Sequence, residues 1–184
     1  MSEPYSLYVN ISIKKDRLEQ FFQAQPSKTA IDPDWIAWWN SRKKYGSDPL
    51  TDIRVYTDES NRAIANTFLG VRDMMTFEDL SQPDVWEYSS LFFRENYSEL
   101  LPALSWLCSI APYMDPSAEG VALVYNYFWD GADDKSVMAH LVFKDQKATI
   151  QLTSQTAEMD PALVEKANAT MRGVWDKLTA NHKD

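Results

Sequence analysis

The alternation of apolar and polar residues predicts β-strands near both ends of the chain. Tyr5–Ile13 alternates as a half-buried strand does, with five side chains on one face: Tyr5, Leu7, Val9, Ile11 and Ile13. Val121–Trp129 is apolar on both faces, which is typical of a central strand covered on both sides. Val137–Phe143 and Lys147–Thr153 follow after short turns. The pattern therefore predicts an antiparallel three-stranded meander in the C-terminal half.

Apolar residues spaced three and four positions apart predict helices. Three segments show this spacing most clearly: residues 14–25, which end before a proline and contain Asp16 and Glu19 at capping-box spacing, Ser98–Tyr113, and the stripe from Leu163 to Leu178. Asp160 is the expected N-cap of the last of them.

A further helix is expected to begin at Asp32-Pro33 and to stop at Gly46, with Asp32 as its N-cap. Its core side should carry Trp35, Ile36 and Trp39. The basic run Arg42-Lys43-Lys44 would lie in the last turn, where cations complement the helix dipole. This explains the best basic cluster of the chain without a ligand.

The middle of the chain is harder to interpret. Asp52–Thr57 resembles a short strand, and Ile64–Met75 fits a strand slightly better than a helix. Gln82–Asn96 is expected to be helical, because Ser81 resembles a cap and Pro83 stands early in the segment.

Together these elements predict one α+β domain spanning residues 1–184. It should have a mostly antiparallel sheet of about four to six strands, with the C-terminal meander and with helices packed on the sheet. Strands and helices do not alternate as they do in a doubly wound sheet, and no repeat or linker divides the chain.

Charge is unevenly distributed along the chain. The 184 residues carry a net charge of −9, and residues 51–134 hold four Lys/Arg against fifteen Asp/Glu. Such a segment either keeps the surface soluble or steers a basic partner. Because phosphate contacts need clustered Lys and Arg, nucleic-acid binding is not expected.

Several sites and locations are not expected. Five glycines with no G-x-G pair exclude a dinucleotide fingerprint and a phosphate loop. The two histidines and one cysteine form no metal motif, and the Asp-rich stretch WDGADDK lacks the ligand spacing of a calcium loop. The sequence therefore predicts no cofactor and no metal site. It also lacks an apolar run long enough for a bilayer and a secretory signal, so a cytoplasmic location without membrane insertion is expected.

The leading functional hypothesis is a non-enzymatic protein-binding module. A small, acidic, aromatic-rich chain without catalytic motifs suits a bacterial immunity or antitoxin-like protein that neutralises a basic toxin. Carboxylates would steer the partner and an exposed tryptophan would anchor it. The candidate partner-binding residues are Asp58, Glu59, Trp129, Asp130, Asp133 and Asp134.

Two alternatives remain open from the sequence. A pocket between the sheet and the helices would indicate a small-molecule-binding or enzymatic domain, with a site built from Tyr125, Asn126, Tyr127 and His140. A homo-oligomeric scaffold protein is the other alternative. Cys108 lies in an apolar stretch without charged neighbours, which favours a structural thiol over a nucleophile.

Overall fold

A computed structural model describes residues 3–42, 48–131 and 133–180. Six described strands form one antiparallel sheet in the order β2-β3-β1-β4-β5-β6. They are β1 (Tyr5–Ser12), β2 (Thr76–Asp79), β3 (Val85–Arg94), β4 (Gly120–Tyr125), β5 (Val137–Lys144) and β6 (Lys147–Ile150). The described helices are α1 (Lys15–Gln23), α2 (Pro33–Ser41), α3 (Asn61–Gly70), α4 (Tyr97–Cys108) and α5 (Pro161–Thr179). The predicted α+β class, its mostly antiparallel sheet and its C-terminal meander are confirmed.

Apolar side chains cover both faces of the sheet. Leu7 and Val9 of β1 belong to a large core shared with the first four helices, whereas Tyr8 belongs to a smaller core shared with α5. Because successive side chains of a strand point to opposite faces, α5 covers one face and the other helices cover the opposite one. Tyr8 is fully buried, so β1 is a central strand and not the half-buried strand that its alternation predicts.

The predicted helix over Gln82–Asn96 is wrong, because this segment contains the ten-residue strand β3. The residues taken as a helix start form the turn between β2 and β3. There, the Asp79 carboxylate accepts a hydrogen bond from the Ser81 amide at 2.8 Å, and Asp84 has a φ of 56°. Aspartate side chains commonly stabilise such turns. The strand itself is rich in aromatic residues, which pack well on a pleated surface.

The strand interpretation of residues 64–75 is also wrong, because α3 occupies Asn61–Gly70. The Ser60 hydroxyl accepts a hydrogen bond from the Ala63 amide at 3.1 Å and caps this helix. Asp52–Thr57 forms no strand, although Ile53 is buried against the larger core. This segment therefore packs against the core without joining the sheet.

The start of α2 is confirmed: Asp32 accepts a hydrogen bond from the Trp35 amide at 3.0 Å. Its apolar side differs from the prediction, because Trp38 is buried and Ile36 is 45% exposed. Arg42 follows the helix and donates hydrogen bonds to backbone carbonyls near β5 and β6 rather than complementing the dipole. The predicted positions of Lys43, Lys44 and Gly46 lie outside the described residues.

Other boundaries move by a few residues, with consequences for the surface. Lys14 precedes α1 without any side-chain cap, so the capping-box prediction for Asp16 and Glu19 is wrong. Strand β4 ends at Tyr125, four residues earlier than predicted, and Trp129 lies on the following loop. In the described parts of the chain, no helix is long and apolar enough to cross a membrane.

Candidate protein-binding surface

Four aromatic side chains meet at the surface beside α5. Phe128 lies at their centre, with ring centroids 5.1 Å from Phe92, 5.2 Å from Trp129 and 5.4 Å from Trp175. Phe128, Trp129 and Trp175 are 40%, 44% and 40% exposed. We call these four residues the aromatic patch. Isolated apolar side chains are common on surfaces, but contiguous exposed patches mark interaction sites.

The loop after β4 displays two members of the aromatic patch. Asn126 follows the last residue of β4, and its backbone N–H donates a hydrogen bond to the Ser136 carbonyl at 2.8 Å. Its side-chain oxygen accepts a hydrogen bond from the Trp129 amide at 3.1 Å, which turns the chain. Phe128 and Trp129 therefore lie on a closed loop, and Trp129 is exposed as the partner-anchor hypothesis requires.

Asp130 organises the inside of this loop. Its carboxylate accepts hydrogen bonds from the Ser136 amide at 2.8 Å and from the Asn126 side chain at 3.3 Å. Its backbone carbonyl accepts a hydrogen bond from the Lys135 ammonium group. The structure therefore gives Asp130 a role in holding the loop, in addition to the steering role predicted from sequence.

Asp134 and Asp133 differ in their surroundings. Asp134 accepts hydrogen bonds from the Thr156 hydroxyl at 3.2 Å and the Ala157 amide at 2.9 Å, and so fastens the loop to the segment before α5. Asp133 is exposed. Within the described residues it has no hydrogen-bond or ion-pair partner. Asp133 is thus the carboxylate of this loop whose charge is fully available to a partner.

Asp58 and Glu59 are not brought to the aromatic patch. They precede α3 on a chain segment whose Ile53 and Tyr56 pack against the larger core, on the opposite face of the sheet from α5. Asp58 lies near Tyr56 and adds slightly to the rise in the pKa of that hydroxyl, which burial raises to about 12.

Charges of both signs lie near the aromatic patch, and a carboxylate among them has no ion-pair partner in the described residues. Burial raises the pKa of Tyr127, which follows Asn126 in the loop; Arg172 opposes this rise and Asp176 adds to it. Both charges therefore lie near the patch. Arg172 is matched by Glu165, whose carboxylate lies 2.8 Å away. Asp176 has no such partner among the described residues, so its carboxylate is a free charge near the patch.

Sequence reasoning missed Phe92, Phe128 and Trp175 as surface residues. Trp175 belongs to the apolar stripe of α5, but its neighbour Val174 is the one that is buried. Adjacent helix positions are about 100° apart, so on a helix with one packed face one of two adjacent apolar residues can lie at the edge of that face. The consecutive pair Phe92 and Phe93 in a strand carries the same signal, since one of the two must leave the main core.

The residues of the alternative pocket do not form one cavity. Tyr125 is fully buried and donates its hydroxyl to Asn168 of α5 at 2.9 Å. Asn126 and Tyr127 belong to the loop. His140 lies on β5, where its Nδ1 atom is 2.9 Å from the Thr153 hydroxyl. A groove of about 820 Å³ does lie between the sheet and the helices, but other residues line it.

Neither a metal centre nor an activated thiol emerges from the described part of the chain. No three His, Cys, Asp or Glu side chains there come together as metal ligands. Cys108 is buried, and burial raises the pKa of its thiol to about 12. A thiol with such a pKa is unreactive as a nucleophile at neutral pH.

The sequence matches no protein-family model, and no curated protein or solved structure shows significant similarity to it.

Proposed function

We propose that this protein is a non-enzymatic protein-binding module whose contact surface is the aromatic patch. One observation carries the proposal: of the seven exposed large hydrophobic residues in the described chain, the three aromatic ones meet, because Phe128 contacts both Trp129 and Trp175. Protein interfaces favour exposed Trp, Tyr and Phe, and a few such anchors contribute most of the binding energy.

The proposed partner is a basic protein. Asp176 lies near the patch, Asp133 is exposed on the loop that also carries Phe128 and Trp129, and the whole chain has a net charge of −9. Complementary charge accelerates encounter and selects partners, while buried rings stabilise the complex. A bacterial immunity or antitoxin-like protein that neutralises a basic toxin is the form of this function that the acidity and the lack of catalytic motifs support best.

Affinity capture with matched variants tests the proposal. The double variant Trp129→Ala/Trp175→Ala removes two exposed anchors, and Ile36→Ala removes an equally exposed side chain from α2, on the other side of the sheet. Tagged proteins are incubated with lysate of the source organism and washed at low and then high salt. We expect wild type and Ile36→Ala to retain the same basic protein, and the double variant to lose it. The partner identified in this way is then titrated, where the loss should be about thirtyfold or more.

Steering is tested on Asp133 alone. Asp133→Lys should slow association and reduce its salt dependence without altering dissociation, because a charge at the edge of an interface acts mainly on encounter. Asp134→Lys is a poorer test, since that side chain also fastens the loop. Capture of the same protein by the aromatic double variant would show that the patch is not the contact surface.

The same patch offers a test of the homo-oligomer alternative. Sedimentation velocity at two protein concentrations measures self-association directly. A dimer that the double variant abolishes would assign the patch to a second copy of this chain instead of to a basic partner.

A further inference from the structure

We propose that a second site, a groove beside α1, binds an uncharged and largely apolar small molecule. The groove has a volume of about 820 Å³ and lies between α1 and the turn that joins β2 to β3. Small-molecule sites typically enclose about 300–1,000 Å³ and are lined mainly by apolar side chains. We call it the α1 groove.

The α1 groove is elongated and apolar at its floor. Leu18 and Phe22 of α1 line it together with Ile13, and Leu80, Pro83 and Val85 form the facing wall. Lining residues on α1 extend from position 15 to position 23, which spans about 12 Å at the rise of an α-helix. A groove of this length suits a ligand of one or two fused rings better than it suits the flat surface of a partner protein.

The guanidinium that lies against the apolar floor of the groove is already paired with a carboxylate. Arg62 lines the groove, and its guanidinium lies 3.6 Å from the centroid of the Phe22 ring. It donates two hydrogen bonds, of 2.9 and 3.1 Å, to the carboxylate of Glu78. That carboxylate also accepts a hydrogen bond from the Trp86 indole at 3.0 Å. A bidentate pair of this kind leaves no free charge for an ionic ligand.

The remaining charges lie on the rim and are of both signs. Lys15, Glu19 and Asp84 line the opening and are exposed. Water and salt screen such charges, so they give an anion or a cation little net attraction. An ionic ligand would lose hydration on the apolar floor without gaining a partner. Charge complementarity therefore favours a neutral ligand.

Leu80 gives the groove an exposed apolar wall. Its side chain is 55% exposed although it lines the α1 groove. A ligand seated between this wall and α1 would cover it and add its burial to the binding energy. Leu152, which follows β6 and is 56% exposed, does not line the groove and provides a matched control.

The α1 groove is separate from the aromatic patch. Val85 lines the groove and Phe92 belongs to the patch, and they are seven residues apart on β3. At the rise of a β-strand this is about 23 Å. The groove proposal therefore does not depend on the proposed protein partner, and one can fail without the other.

Titration with N-phenylnaphthylamine, a neutral probe whose fluorescence rises in apolar surroundings, tests this proposal. We expect one saturable site in the wild type. Leu80→Asp should weaken binding about tenfold or more, because it places a charge where the probe buries its ring. Leu152→Asp and the aromatic double variant Trp129→Ala/Trp175→Ala should bind as the wild type does. The anionic analogue anilinonaphthalene sulfonate should bind about tenfold more weakly than the neutral probe.

Three results would overturn the proposal. The first is absence of saturable binding of the probe. If Leu80→Asp then loses a protein that the wild type retains in affinity capture, the groove is a protein interface instead. The second is equal weakening by Leu152→Asp, and the third is loss of the probe site in the aromatic double variant. Thermal unfolding of each variant checks that it folds. Leu80→Ser, which removes the apolar side chain without adding charge, should still weaken binding and replaces Leu80→Asp if that variant is unstable.

Discussion

Two carboxylates of the loop after β4 should differ in their effect on stability, because Asp130 holds the loop and Asp133 does not. Replacing Asp130 by alanine removes the acceptor of the Ser136 amide, at 2.8 Å, and of the Asn126 side chain, at 3.3 Å. Replacing Asp133 by alanine removes an exposed charge that has no partner in the described residues. We therefore expect Asp130→Ala to destabilise the fold and Asp133→Ala to leave its stability unchanged.

The magnitude follows from the hydrogen bonds. A bond to an ionised acceptor contributes about 1.5–3 kcal/mol, and an amide left without a partner costs a similar amount when it is buried. Only the shorter bond is counted in full, since the loop is partly exposed and the longer bond is weak. The expected loss is about 2 kcal/mol for Asp130→Ala. For a domain of this size, this corresponds to a decrease in Tm of about 4–8 °C. Asp133→Ala should stay within about 0.5 kcal/mol of the wild type.

Urea unfolding at pH 7, followed by far-ultraviolet circular dichroism, measures both variants. Asp130→Asn serves as the matched control, because it keeps an oxygen that accepts a hydrogen bond while it loses the charge. Its stability should lie between those of Asp130→Ala and the wild type. Wild-type stability of Asp130→Ala would refute the structural role of Asp130. A loss in Asp133→Ala comparable to that in Asp130→Ala would refute the assignment of Asp133 as a free charge.

Three further predictions concern the core. Gly120→Ala should lower the free energy of unfolding by roughly 1–3 kcal/mol in urea, because an added Cβ would lie 3.1 Å from the Cα atom of Ile11. Burial lowers the pKa of His140, and its Nε2 atom is buried without a hydrogen-bond partner in the described part of the chain. The unfolded chain therefore protonates this imidazole more readily than the folded protein does. In unfolding experiments between pH 5 and 8, the wild type should lose stability relative to His140→Gln as pH falls below about 6.5. Cys108 should resist iodoacetamide at pH 8 in the native protein and react in urea; rapid native labelling would contradict its burial.

Local signals predicted the elements whose capping and periodicity agree with their tertiary environment. Asp32 and Asp160 cap the helices that they were expected to cap, because an N-cap is a contact between neighbours in sequence. The meander of β4, β5 and β6 follows for the same reason, since short turns join strands that alternate strongly. The α+β class required no more than these signals.

The middle of the chain shows where local signals fail. Ser81 and Pro83 suit a helix start as well as a tight turn, and nothing within residues 82–96 distinguishes the two. The distinction comes from β1, which pairs with β3 along its length, from Tyr5 opposite Arg94 to Ser12 opposite Val85. Seventy or more residues of chain separate these partners, so the pairing is invisible to a local pattern.

For the candidate surface too, some features could be predicted from the sequence and others could not. By itself, the sequence determined the fold class, the acidic middle of the chain and the aromatic, acidic loop that contains Trp129, because each depends on residue type and short-range order. Only the tertiary structure decided which rings are exposed and which meet. It placed Phe92 of β3 and Trp175 of α5 beside Phe128, and it packed Tyr56, which is close to Asp58 and Glu59 in the chain, against the other core. The physical reason is that exposure and contact depend on how distant elements pack on the sheet, a property that no single segment contains.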